Sequence, residues 1–223
     1  MRALVVFVAA ATSVIAVACT SVTSDDVAET VTRVSGDSQA VFVGKQRTKP
    51  LVVVVRRADG SPFPNIGVNW SIVSGGGLLD SAVLTTGADG ISRATYTSSD
   101  TAGKATIRVV AGKGQVDFTV TKLADTIGIL TAVSGNGTAS LVGSPVTIIA
   151  KAGDKFGNPI PNITVTWSAP AGTLSSISSA TDTIGRASTS ITPGPNAGTY
   201  TVRADSRLNA VTFTLSAIPA KAP

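Results

Sequence analysis

The sequence predicts an all-β chain of two tandem sandwiches, and three observations carry that expectation. A twelve-residue segment occurs twice, as Gly60-Ser61-Pro62-Phe63-Pro64-Asn65-Ile66-Gly67-Val68-Asn69-Trp70-Ser71 and Gly157-Asn158-Pro159-Ile160-Pro161-Asn162-Ile163-Thr164-Val165-Thr166-Trp167-Ser168, with eight of twelve positions identical. Apolar residues recur with period two between turns built from Gly, Pro, Asn and Asp, and the intervening residues are rich in Val, Thr and Ser. Glu29 is the only glutamate, whereas helical proteins spend Glu and Lys on their exposed faces. A chain of 223 residues that is 43% hydrophobic and 14% charged has enough apolar material for packed cores.

Taken in order, residues 1–18 hold Arg2 and then an apolar run from Ala3 through Val17, interrupted by Thr12 and Ser13 and closed by small Ala18. A short positive end, an apolar stretch below the roughly 20 residues of a spanning helix, and a small residue at the cut are the layout of a secretory signal peptide. Cys19 is the only cysteine, so no disulfide forms within the chain and the exported sandwiches must stand on hydrophobic cores. Residues 19–30 read as a polar tether.

From residue 31 the chain repeats. Leu51, Val68 and Trp70 match Ile148, Val165 and Trp167 at an offset of 97, and Gly90, Tyr96, Arg108 and Phe118 match Gly185, Ile191, Arg203 and Phe213 at 95. A repeat of that length is a whole domain, which makes residues 31–122 the first domain, 123–217 the second and 218–223 a tail. Strands are expected in the first copy near 31–35 with 40–43, 50–57, 67–73, 80–86, 91–98, 104–110 and 115–121. Seven or so short strands per copy make a sandwich. Alternation places Leu51, Val53, Val55, Val68, Trp70, Ala94, Tyr96, Ile107, Val109, Val116, Phe118 and Val120 in one core. The other takes Ile148, Ala150, Val165, Trp167, Thr189, Ile191, Tyr200, Val202, Val211, Phe213 and Leu215.

Both copies resemble the bacterial Ig-like domain of the invasin/intimin group. The signature of that group joins an apolar strand, a D-x-x-G-N-P-V-P-like turn, a strand with a buried aromatic and a later D-x-x-G turn. Here the first turn stands as Asp59-Gly60-Ser61-Pro62-Phe63-Pro64 and as Asp154-Lys155-Phe156-Gly157-Asn158-Pro159-Ile160-Pro161. The later turn stands as Gly87-Ala88-Asp89-Gly90 and as Asp182-Thr183-Ile184-Gly185. The resemblance spans residues 31–217 and implies immunoglobulin-like sandwiches; its motifs speak to fold and not to ligand. The large invasin-type adhesins add an outer-membrane barrel and a lectin-like tip that have no counterpart in this sequence, so receptor binding does not carry over. The segment Ile15-Ala16-Val17-Ala18-Cys19 resembles a lipobox, which implies a diacylated Cys19 thiol at the mature N-terminus and a membrane anchor. Ala16 departs from the Leu most often found there, and an ordinary signal cleaved after Ala18 or Ala10 would leave an inert cysteine.

No catalytic constellation emerges. The chain has no histidine, which excludes His-based triads and imidazole acid/base catalysis. Asp59, Asp89, Asp100, Asp154 and Asp182 all fall in expected turns, where Asp accepts backbone N–H bonds. Calcium at clustered turn carboxylates is the functional alternative, but no D-x-D-x-D/N-G loop occurs. Gly75-Gly76-Gly77 lacks the Lys-Ser/Thr pair and the helix of a phosphate loop. Trp70 and Trp167 alternate with core positions and read as buried aromatics rather than sugar platforms.

The net charge is +5, with a basic set at Lys45, Arg47, Lys49, Arg56 and Arg57. This is either an anionic-ligand patch, for lipid A or an acidic polysaccharide, or a solvated strand edge. Without interleaved aromatics it does not fit nucleic acid. The sequence therefore points to a non-catalytic bacterial cell-envelope lipoprotein without cofactor or metal, serving as a structural or adhesive module. Its alternative is a binding protein for an anionic polysaccharide or other envelope component.

Overall fold

Five consecutive apolar residues followed by Arg56-Arg57 make the strand β3 (Leu51–Arg56). Leu51, Val53 and Val55 are fully buried on one face. β-branched side chains favour this pleated geometry, and the strand ends where the chain turns at Asp59-Gly60, with Gly60 at φ 83°. The same logic repeats along the chain. In the computed structural model, which describes residues 30–126 and 128–220, all regular structure is β and no helix occurs among the described residues.

The first sandwich contains β1 (Thr30–Ser35), β2 (Gln39–Phe42), β3, β4 (Asn69–Ser74), β5 (Leu78–Asp80), β6 (Ile91–Thr97), β7 (Gly103–Ala111) and β8 (Gly114–Leu123). Its sheets run β1-β3-β6-β5 and β2-β8-β7-β4. The second contains β9 (Gly128–Ser134), β10 (Ala139–Leu141), β11 (Val146–Asp154), β12 (Thr164–Ser168), β13 (Thr173–Leu174), β14 (Ser178–Ala180), β15 (Arg186–Thr192), β16 (Gly198–Asp205) and β17 (Ala210–Ile218). Its sheets run β13-β15-β11-β9 and β10-β17-β16-β12-β14.

Each sandwich closes on its own core. One core gathers Leu51, Val53, Val55, Trp70, Tyr96, Ile107, Val109 and Phe118, with Val116 partly buried against it. The other gathers Ile148, Val165, Trp167, Ile191, Val202, Phe213 and Leu215, with Val211 packed at its margin. Trp70 lies 5.9 Å from Phe118 between ring centroids, and Trp167 lies 6.1 Å from Phe213. These separations are within the range of favourable aromatic pairs. Each indole N–H donates to a serine, Trp70 to Ser92 at 2.9 Å and Trp167 to Ser179 at 2.8 Å. The polar edge of each ring is thereby satisfied inside the core.

The structure departs from alternation in two places. The stretch 80–86, expected as one strand, is split: β5 pairs with β6 through Leu78–Asp80, Ser81 takes φ 51°, and Thr85 bridges Gly67 in the opposite sheet. Positive φ at Ser81 breaks a strand that sequence periodicity leaves continuous. Second, β2 and β10 run parallel to β8 and β17 instead of forming hairpins with β1 and β9. The chain changes sheet at Gly36, whose φ is 95°, and a Cβ there would lie 2.4 Å from the Pro50 carbonyl oxygen, so only glycine fits. The expected signal peptide, Cys19 and tether through residue 29 lie outside the described residues, as do 221–223 of the tail.

Candidate functional site

The two sandwiches meet end to end, and the end of the second is shaped by the turn that follows β11. Asp154 closes that strand and is almost fully buried, at 3% exposure. One carboxylate oxygen accepts the N–H groups of Phe156 and Asn158, each at 2.9 Å. The other accepts the Asn158 side-chain amide at 2.8 Å and the Asp125 N–H of the connecting segment at 3.0 Å. Burial pushes this carboxyl up, but the bonds from the Asn158 side chain and from the three backbone N–H groups outweigh it and hold the group below its usual range.

Held in this way, the Asn158 amide faces the first sandwich. It donates to the Asp100 carbonyl oxygen at 2.8 Å and accepts from the Ala102 N–H at 2.8 Å. All three of its hydrogen-bonding groups are therefore engaged while the residue is 8% exposed. The Phe156 ring covers Gly44, where a Cβ would come within 3.2 Å of it. Lys155 reaches Asp125 at 3.6 Å.

The loop that receives Asn158 is itself braced. Lys122, 3% exposed near the end of β8, donates to the Ser99 hydroxyl at 2.8 Å and to the Gly75 carbonyl of the triple-glycine loop. Burial lowers the pKa of its ammonium. Tyr96 adds a hydrogen bond from its hydroxyl to the Gly76 carbonyl at 2.6 Å. Gly75, Gly76 and Gly77 all have positive φ, so this loop needs its glycines for backbone shape, as a receptor for Lys122 and Tyr96.

The five basic residues of the sequence do not come together as one patch. Arg47 bridges Thr97 at the end of β6 and approaches Asp80 at 3.7 Å. Lys45 and Lys49 lie on the same approach to β3. Arg56 pairs with Thr30 at the far end of β3 and donates to the Gly60 carbonyl at 2.8 Å, while Arg57 lies 4.3 Å over the Phe63 ring. A six-residue strand separates the two groups, about 20 Å at the usual rise. Neighbours in sequence are thus opposite ends in space. Trp70 and Trp167, at 7% and 2% exposure, are inside the cores and offer no platform to a ligand.

Three of the turn aspartates are spent on backbone. Asp59, Asp89 and Asp182 each accept the N–H two residues ahead, and no group of three potential metal-ligating side chains occurs among the described residues. Sequence reasoning missed the roles of Asn158, Asp154 and Lys122. A signal was present: at an offset of 97 the first copy has Arg57, Asp59 and Ser61 where the second has Asp154, Phe156 and Asn158. The docking turn keeps the repeat's Gly and Pro but differs at these three positions.

Residues 130–216 match the family model of the bacterial Ig-like domain, group 1. The second sandwich is a bacterial Ig-like domain. The first Ig-like sandwich repeats its strand order, its buried Trp and its proline turn. No curated protein matches the chain. Among solved structures, invasin, described as a bacterial integrin-binding protein, aligns at 17% identity over 89% of this chain and 41% of its own length, with a TM-score of 0.58. The chain therefore spans about two fifths of that structure, and the likeness is one of fold. The D0-D1 fragment of intimin aligns at 23% identity over 85% of this chain and 97% of its own, with a TM-score of 0.37. Yersinia pseudotuberculosis InvD gives 18%, 89%, 59% and 0.49 in the same order.

Proposed function

We infer that this chain is a non-catalytic cell-envelope module in which two Ig-like sandwiches, carried on a tether acylated at Cys19, hold a contact surface away from a membrane. The observation that carries the reading is the junction. A buried asparagine, oriented by a buried aspartate, fixes one sandwich on the next through main-chain bonds, which suits a spacer or adhesive arm better than a reaction centre. The match to the bacterial Ig-like family and the fold likeness to invasin support the same class. The residues 31–122 and 123–217 act as its two structural units.

The alternative through five clustered cations loses its footprint, because Lys45, Arg47 and Lys49 are divided from Arg56 and Arg57 by the length of β3. Fractionation of a bacterial host producing the full chain tests the proposal. The protein should sediment with the envelope, move to the soluble fraction when Cys19→Ser is introduced, and leave peptidoglycan, glycan and ester substrates intact. Turnover of any of these by the Cys19→Ser protein would sink the reading.

A further inference from the structure

The two sandwiches present very different outer faces on equivalent sheets. In the first, Ser35, Val52 and Arg93 stand in one row across β1, β3 and β6 by register. In the second, the matching row across β9, β11 and β15 is Ser134, Ile149 and Ser188. Beside the first row the outward face of β3 stays apolar, with Val52 half-buried and Val54 at 9% exposure. On β11 the outward neighbours are Thr147 and Lys151.

A cleft of about 580 Å³ lies over this row, lined by residues that include Gly36, Asp37, Lys49, Pro50, Val52 and Arg93, a size suited to a small ligand or a few side chains of a partner. Its wall is fixed. The Gln39 amide donates to the carbonyls of Gly36 at 2.7 Å and Lys49 at 3.0 Å, and accepts the Lys49 N–H at 2.8 Å. The Asp37 carboxylate is already used, accepting from Arg33 and from the Thr119 N–H. By contrast, neither the Lys49 ammonium nor the Arg93 guanidinium has a hydrogen-bond or ion-pair partner among the described residues. The cleft therefore combines an apolar floor, Pro50 and Val52, with two uncommitted cations at its sides. Nothing in the folding of the sheet requires Arg93, since the second sandwich builds the same row with serine.

We propose that this cleft binds an extended segment of a partner protein in which an apolar side chain and a carboxylate, two residues apart, face the same side. The apolar group covers Pro50 and Val52, and the carboxylate bridges Arg93 and Lys49. Arginine at the β6 end of the row suits a planar, two-toothed grip on a carboxylate. The open, shallow setting on a sheet face fits a peptide, whereas an acyl chain needs enclosure on all sides. This deepens the envelope-module reading by naming its contact face. The two fail separately, because fractionation tests the anchor and class while the experiment below tests one cleft.

The test titrates the ¹⁵N-labelled protein with a blocked pentapeptide that carries leucine at its second and aspartate at its fourth position among serines, so that both face one side when extended, read by amide shifts. Saturable shifts confined to residues around Ser35, Val52 and Arg93, with a dissociation constant below about 1 mM, support the site. The equivalent amides of Ser134, Ile149 and Ser188 should stay still. Arg93→Ser, which copies the second sandwich, should weaken binding about tenfold or more, and Lys49→Ser by a smaller factor. Asparagine in place of aspartate, or serine in place of leucine, should abolish it.

Equal binding of the asparagine peptide, an unchanged affinity in Arg93→Ser with its spectrum otherwise intact, or no saturable shift would overturn the proposal. So would preferential binding of phosphatidylglycerol vesicles through the same residues. Should Arg93→Ser disturb the fold, Arg93→Lys keeps the charge but not the two-toothed grip, and it should still weaken binding; full retention counts against the proposal.

Discussion

At the scale of single residues, the outcome of a substitution depends on what a side chain's polar atoms touch. Trp70 fills the first core and places its indole N–H on Ser92, a fully buried residue. Trp70→Ala should cost about 3–5 kcal/mol, a large part of a small domain's stability. Urea unfolding followed by circular dichroism should show the first sandwich melting early. The remaining fluorescence, from Trp167 alone, should keep the midpoint of the second. A common shift of both signals would mean that the cores unfold as one. Lys122 offers a second test, because its burial is justified only by the loop carbonyl and hydroxyl it serves. Lys122→Ala leaves the Gly75 carbonyl without this donor and should destabilise the first sandwich by roughly 1–3 kcal/mol. The second sandwich has Ala217 at the equivalent place and should be unaffected.

At the scale of elements, the turn after β11 couples the junction to pH through Asp154. The folded pKa of Asp154 is depressed, so the folded state binds fewer protons than the unfolded chain near the ordinary carboxylate range. The stabilisation is complete above the unfolded value, near 3.8, and is lost as pH falls through the lower folded value. The junction should therefore hold at neutral pH and loosen in strong acid. Residual dipolar couplings, which report the relative orientation of the two sandwiches, should fit one alignment tensor at neutral pH and two once the carboxyl is protonated. Asn158→Ala should separate the tensors already at neutral pH, because it removes the bonds to Asp100 and Ala102 while leaving both cores intact. Identical tensors in that variant would show that Phe156 and Gly44 suffice.

At the scale of the whole molecule, the end-to-end order turns two sandwiches into an arm with a defined direction. The first sandwich offers its loop end to the second, and its far end holds Arg56 and Arg57 beside Thr30, the first described residue. Intact-mass measurement of membrane-extracted protein should find a chain beginning at Cys19 with a diacylglycerol adduct. A free thiol on a soluble chain would remove the anchor from the proposal. With the anchor in place, the row at Arg93 faces sideways from the arm, where a neighbouring protein can reach it.

Sequence alone was enough for the sandwich class, the duplication and most of both cores, because a buried strand face must be apolar at every second residue and the two copies check each other. Leu51 and Ile148, or Phe118 and Phe213, need only local alternation to be assigned inward. Tertiary structure decided everything that depends on which ends meet. Lys45 through Arg57 look like one basic cluster along the chain, yet β3 carries them to opposite ends. Ser81 breaks a strand through a backbone angle that no side-chain pattern records. Asn158 reads as an ordinary turn residue until the loop at Asp100 and Ala102 is brought against it. Periodicity encodes burial within an element, while a site is made by the register and packing of elements distant in sequence.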